Sequence, residues 1–177
     1  MPETFPEYVI ISASLRTSSL SRVMAITLLG AYERLGAPAV LVDLREFVLP
    51  LCDGEAAYGH SHVATLSGMI QAARVIVLAT PIYNYDGNAA AKNLLELTGK
   101  VWENKTVGFL CAAGGASSYM SIMGLANSLM LDFRCLIIPR FVYAQGGDFT
   151  ADKEPTGQLG NRIEQLAEAS MKIRNSV

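Results

Sequence analysis

The chain has 177 residues, 51% of them hydrophobic, and a net charge of −2. Such a length supports one sizeable core but not two comfortable ones, so a single domain over 1–177 is expected. A balanced charge gives no basic surface for nucleic acid or an anionic membrane, and no apolar run nears the roughly 20 residues that cross a bilayer.

Met1–Pro6 has no basic segment followed by a hydrophobic one, so no signal peptide is expected and the cytoplasm is the expected location. Tyr8-Val9-Ile10-Ile11 is an unbroken apolar run, as in a strand buried on both faces, and the first strand is expected over residues 8–12. A hydroxyl-rich turn follows, Ser12-Ala13-Ser14-Leu15-Arg16-Thr17-Ser18-Ser19, leading into a helix over about 19–35 with Leu20, Val23, Met24, Leu28, Ala31 and Leu35 at helical spacing. A strand, a turn and a helix N-terminus in succession make an anion site, because free backbone N–H groups and the positive end of the helix dipole face the turn. Helix capping accounts for one or two of these serines. Arg16 and Arg22 are left unexplained by capping, and both are expected to share a phosphate charge.

Gly36-Ala37-Pro38 stops the helix and Ala39–Leu44 forms a second strand, with Asp43 as a polar cap at its end. No period is visible from Pro50 to His62, and the loop after this strand carries nothing notable. His60 and His62 fall there and are expected to be solvated loop histidines rather than metal ligands, since HxH alone is a weak metal pattern. Val63, Leu66, Ile70 and Ala73 mark a second helix, which runs into a third strand at Val75–Ala79. Thr80–Asn88 reads as a turn-rich loop and 89–97 as a helix.

The fourth strand, Thr106–Ala112, ends at Ala113-Gly114-Gly115. A helix with Tyr119, Ile122, Met123, Ala126, Leu129 and Met130 on one face comes next, and then a fifth strand at Cys135–Ile138 that resumes beyond Pro139 as Phe141-Val142-Tyr143. A loop over 145–157 precedes a last helix with Leu159, Ile163, Leu166, Ala167, Ser170 and Met171 inward. Cys52, Cys111 and Cys135 are odd in number and far apart, which excludes a disulfide framework and a CxxC metal pair.

Strands alternating with helices call for a parallel sheet covered on both faces. In the order 2-1-3-4-5, the ligand crevice lies outside the carboxyl ends of strands one and three, where the order reverses. The loops after strands one, three and four border that crevice, and they are the three that carry distinctive residues. GxGxxG and GxxxxGK[ST] are both absent after strand one, so neither a dinucleotide fingerprint nor a P-loop explains the phosphate signal. Serine hydroxyls around one terminal phosphate suit a mononucleotide, of which FMN is the flavodoxin-like example. Taken singly, Pro81 and Asn84 read as turn residues, the tyrosines as packing and the glycines as a tight turn; on adjacent strand ends they read as a flavin wall.

At these loops the sequence resembles the NADPH-dependent FMN reductase family of the flavodoxin-like superfamily. Ser14-Leu15-Arg16-Thr17-Ser18-Ser19-Leu20-Ser21-Arg22 resembles its phosphate loop, Pro81-Ile82-Tyr83-Asn84 followed by Ala91-Lys92-Asn93-Leu94-Leu95-Glu96 its second motif, and Ala113-Gly114-Gly115 its third. The resemblance implies a flavodoxin-like, doubly wound five-stranded parallel sheet. It implies an oxidoreductase in which NADPH or NADH reduces FMN and a small-molecule acceptor (flavin, quinone, azo compound or oxyanion such as chromate) reoxidises it. By the same resemblance Ser14, Arg16, Ser18, Ser19 and Ser21 hold the phosphate, while Pro81, Ile82, Tyr83, Asn84, Gly114 and Gly115 flank the ring. No acid–base residue is implied, since FMN carries the chemistry, and a homodimer or homotetramer is expected. The sequence departs from the family at Ala13, where a glycine is usual, at Ile82, where glutamate is common, and over Tyr85–Asn88. The competing reading is a flavodoxin-type electron carrier, against which the modest charge and the arginines of the first loop argue.

Overall fold

The computed structural model describes residues 6–175, so the reading of the N-terminal stretch lies almost wholly outside the described residues. Its sheet is built from β1 (Tyr8–Ser12), β2 (Ala39–Asp43), β3 (Val75–Tyr83), β4 (Asp86–Gly87), β5 (Thr106–Ala112), β6 (Leu136–Ile137) and β7 (Val142–Ala144). The helices are α1 (Leu20–Arg34), α2 (Ser61–Ala72), α3 (Ala89–Thr98), α4 (Met123–Phe133) and α5 (Gly157–Lys172). The parallel order is β2-β1-β3-β5-β6, with β7 also pairing β5 and β4 pairing β3 antiparallel. This is the expected flavodoxin-like order, its fifth strand divided into β6 and β7. Thr106 and Val107 pair the first piece, Leu110 to Ala112 pair the second, and Pro139 lies in the gap, where a ladder N–H would otherwise be needed.

Strand alternation sorts the core into two layers, as the pleat requires. Val9, Ile11, Ile76, Leu78, Val107 and Phe109 face Leu66, Ile70, Leu94 and Leu129 of α2, α3 and α4. Tyr8, Ile10, Val75, Val77 and Leu110 face Met24 and Leu28 of α1 and Leu159, Ile163 and Leu166 of α5. Each fully buried Leu or Ile contributes about 1.5–3 kcal/mol by removal from water. Tyr32 joins α1 to α5 through a 2.6 Å hydrogen bond to Ser170 Oγ, and burial pushes its phenol up to about 12.

Register decides where the strand ends meet. Ser12 pairs with both Asp43 and Ala79, and Ala79 with Leu110, so the carboxyl ends of four strands open at one edge of the sheet. β3 runs four residues past the expected Ala79, taking in Pro81, Ile82 and Tyr83. Ala79 gives its carbonyl to Ala13 N–H. Two residues on, Pro81 turns its nitrogen to the same side, beyond the end of β1, where no ladder bond is lost. β3 then folds back through Asn84 and Tyr85, whose φ of +51° and +66° suit a two-residue hairpin, and pairs Tyr83 with Asp86 of β4.

Two further expectations are corrected. Residues 116–122 form a 3₁₀ segment with a kink at Ser118, and α4 proper begins only at Met123. Tyr119 is therefore not on the inner face of a helix; it is half exposed and lies against Phe141 and Tyr143, ring centroids 5.0 and 5.4 Å away. The histidines are not free loop residues, because α2 starts at Ser61: His60 Nδ1 accepts the His62 N–H as the helix N-cap, and His62 lies in the first turn. Among the described residues, no helix is long and apolar enough to cross a membrane.

Candidate functional site

The first loop is held along β3 before it turns. Ala13 N–H donates to Ala79 O at 2.8 Å, and Ala13 O accepts from Asn88 Nδ2 at 2.7 Å. Ala13 is not among the residues with positive φ, so the turn has a conformation that an alanine can hold. Ser19 then caps α1, its Oγ accepting Arg22 N–H at 3.3 Å, while the first intrahelical bond runs from Val23 N–H to Ser19 O. The amides of Leu20 and Ser21 precede that bond and face the loop as helix-terminal donors.

Ser14, Ser19 and Ser21 are buried, yet they do not use all their protons. Ser14 Oγ accepts Arg16 N–H at 3.3 Å and gives its own proton to no described protein atom. Ser19 and Ser21 share a 2.9 Å hydrogen bond that uses only one of their two hydroxyl protons. Arg16 stays at the surface, its Nε donating to Ser18 Oγ at 3.0 Å. The loop is therefore a cluster of unspent donors with one guanidinium beside it, a cradle suited to an anion.

Arg22 does not belong to that cluster. Its Nε lies 2.6 Å from Asp43 Oδ2, and Arg45 Nη2 reaches the same oxygen at 2.6 Å. Burial pushes the Asp43 carboxyl up, but hydrogen bonds from Arg45 and Arg22 outweigh it and bring the group down to about 2. Asp43 also accepts Arg45 N–H, so the strand-end cap expected of it is present. The expectation that Arg22 shares a phosphate charge is corrected: a carboxylate 21 residues on claims it. The loop after β2 is likewise more than featureless, since it supplies Arg45 and an apolar hollow lined by Leu44, Phe47, Leu49 and Leu51.

Ser14, Arg16, Ser18, Ser19, Ser21, Pro81, Ile82, Tyr83 and Gly114 line one crevice of about 460 Å³, together with Leu20, Ala112, Ala113 and Gly146. One end is hydroxyl-rich and cationic, and the other, at the ends of β3 and β5, is largely apolar. A Cβ on Gly114 would meet nothing within 4 Å, so the glycine there leaves open space in the crevice. Asn84 and Gly115 are not in the lining. Asn84 occupies the hairpin tip, and the Gly115 carbonyl accepts the Tyr143 hydroxyl, whose phenol burial pushes above its usual value. Gly146 enters from the loop after β7, where Gln145 and Asp148 form a reciprocal cap. A G-G-D following Gln145 was the only sequence signal for that turn.

A larger groove of about 640 Å³ is lined mainly by α3, the turn after it and α4. It lies away from the strand ends, and its Lys92 is engaged with Glu96 at 3.2 Å. The crevice at the topological switch point is the one with convergent donors. Among the described residues no three His, Cys, Asp or Glu side chains gather as metal ligands would.

The model of the family described as NADPH-dependent FMN reductase matches residues 6–149. A protein of Geobacillus thermodenitrificans described as an NAD(P)H-dependent FAD/FMN reductase is 27% identical over 131 residues, covering 72% of this chain and 70% of its own. Among solved structures, the flavoenzyme NAD(P)H:(acceptor) oxidoreductase FerB of Paracoccus denitrificans superposes with a TM-score of 0.74 at 18% identity, over 94% of this chain and 98% of its own. An oxidoreductase from Corynebacterium diphtheriae superposes with a TM-score of 0.75 at 18% identity, over 95% and 96%. With four fifths of its length inside the family match, the chain belongs to the NADPH-dependent FMN reductase family, oxidoreductases that work with FMN and a nicotinamide dinucleotide.

Proposed function

We propose that the crevice binds FMN, with the phosphate on Ser14, Arg16, Ser18, Ser19 and Ser21. The ring then lies against Pro81, Ile82 and Tyr83 and the turn at Gly114, and the protein passes electrons from NADPH or NADH to a small acceptor. The acceptors in view are free flavin, a quinone, an azo compound or an oxyanion such as chromate. The observation that carries this reading is the donor set. Buried serine hydroxyls with unspent protons, the first amides of α1 and Arg16 converge on one end of a cavity whose other end is apolar. That division matches a phosphate joined to a flat aromatic ring.

The chemistry that FMN supplies when bound is acceptance of a hydride and release of two electrons. The chain's residues bind and orient. Hydroxyls and helix amides would donate hydrogen bonds to the phosphate and Arg16 would offset its charge, Pro81, Ile82 and Ala112 would keep water from the ring, and the open space at Gly114 would admit it closely. Among the described residues, Arg16 and Tyr83 are the only titratable side chains in the lining, which fits a protein whose part is positioning.

Three free cysteines, two of them buried, support a reducing compartment and hence the cytoplasm. Exposed Leu15, Val48 and Leu51, at 62%, 76% and 82%, support assembly of the single-domain chain into a homodimer or homotetramer. The function is tested by mixing FMN-loaded protein with NADPH or NADH under anaerobic conditions. The oxidised flavin spectrum is expected to disappear rapidly with at least one of them. A spectrum that persists with both would instead mark a flavodoxin-type carrier.

A further inference from the structure

Asn88 does not line the crevice, yet its side chain ties together two segments that do. It is 7% exposed. Nδ2 donates to Ala13 O at 2.7 Å, and Oδ1 accepts from Thr80 Oγ1 at 3.0 Å and from Ala91 N–H at 3.3 Å. Its backbone N–H donates to Thr80 Oγ1 at 3.1 Å.

Capping α3 requires only the bond from Ala91 N–H, which aspartate or serine accepts equally well. The bond to Ala13 requires a donor. An aspartate would set a carboxylate oxygen against the Ala13 carbonyl, two acceptors with no proton between them. A serine caps the helix but is too short to reach. Ala13 is the last residue before Ser14, and its N–H already donates to Ala79. The amide of Asn88 therefore fixes the other polar group of the residue from which the donor cradle springs.

We propose that Asn88 is a positioning residue, which sets the Ser14–Ser21 loop for a phosphate through the hydrogen bond to Ala13 O. The inference rests on the FMN reading of the crevice. Asn88 also bonds Thr80, the residue before Pro81 of the ring wall, so the bond to Ala13 is isolated by Asn88→Asp, which keeps the Thr80 contact and whose effect therefore falls on the phosphate end.

Asn88→Asp keeps volume, helix cap and the bond from Thr80, and Asn88→Ser keeps the cap alone. In either variant FMN affinity is expected to fall about tenfold, the effect of one buried hydrogen bond. Riboflavin, which lacks the phosphate, should stay within about twofold of its wild-type affinity in Asn88→Asp, where the Thr80 bond is kept. In the flavin-free protein, amide hydrogen exchange over residues 14–19 should quicken while exchange along α3 is unchanged. If FMN binding and exchange stay as in wild type, or if FMN and riboflavin weaken together in Asn88→Asp, the inference is overturned and the FMN reading stands. If wild-type protein takes up neither flavin, the FMN reading falls and the inference with it.

Discussion

Arg16 and Arg22 illustrate how much a residue's partners matter. They are six apart in one hydroxyl-rich stretch and look equivalent on paper, but the Arg22 guanidinium is held by Asp43 while that of Arg16 donates to Ser18 within the loop. Arg16→Ala should therefore weaken FMN binding by about 1.5–3 kcal/mol, the range for a charge-assisted contact. Arg22→Ala should leave FMN affinity within about threefold. Titration of both variants checks the pair, and equal losses would mean that Arg22 also serves the phosphate. The serines were legible as donors because hydroxyls crowded between an apolar strand and an amphipathic helix have few other uses. The fate of Arg22 was not legible, since its partner is fixed by the parallel register of β1 and β2 and not by local sequence.

At the scale of elements, the hairpin of β3 and β4 is the largest departure from expectation. Thr80–Asn88 carries a proline, two asparagines and a glycine, all loop signals, and two-residue strands give no period to read. What makes the hairpin is local backbone conformation at Asn84 and Tyr85 together with close packing of Gly87, where a Cβ would stand 2.6 Å from Leu125 Cδ1. Asparagine tolerates the left-handed region, whereas tyrosine there costs about 1–2 kcal/mol. Tyr85→Gly restores the preferred Asn-Gly turn, and after the entropy cost of glycine it should stabilise the protein by about 0.5 kcal/mol. Thermal unfolding checks this, and a lowered midpoint would show that the exposed Tyr85 ring contributes more than its backbone costs. The strand-helix alternation, by contrast, was legible throughout, because buried parallel strands and amphipathic helices differ in period. The kink at Ser118 and the division of the fifth strand were harder to see. Tyr119 sits at helical spacing from Ile122 and Met123 even though its ring packs on β7, and Pro139 breaks a run that is otherwise apolar.

For the molecule as a whole, the fold explains why three weak motifs make one site. The register brings the ends of β1, β3 and β5 to one edge, and the switch in strand order opens a crevice there. The family match covers all three loops. The central claim is that this crevice is an FMN site, and the most direct measurement is a calorimetric titration of FMN into the purified protein, repeated in excess inorganic phosphate. The account predicts saturable binding of one FMN per chain, weakened by phosphate competing for the Ser14–Ser21 cradle. Absence of saturable binding, or binding indifferent to phosphate, would contradict it.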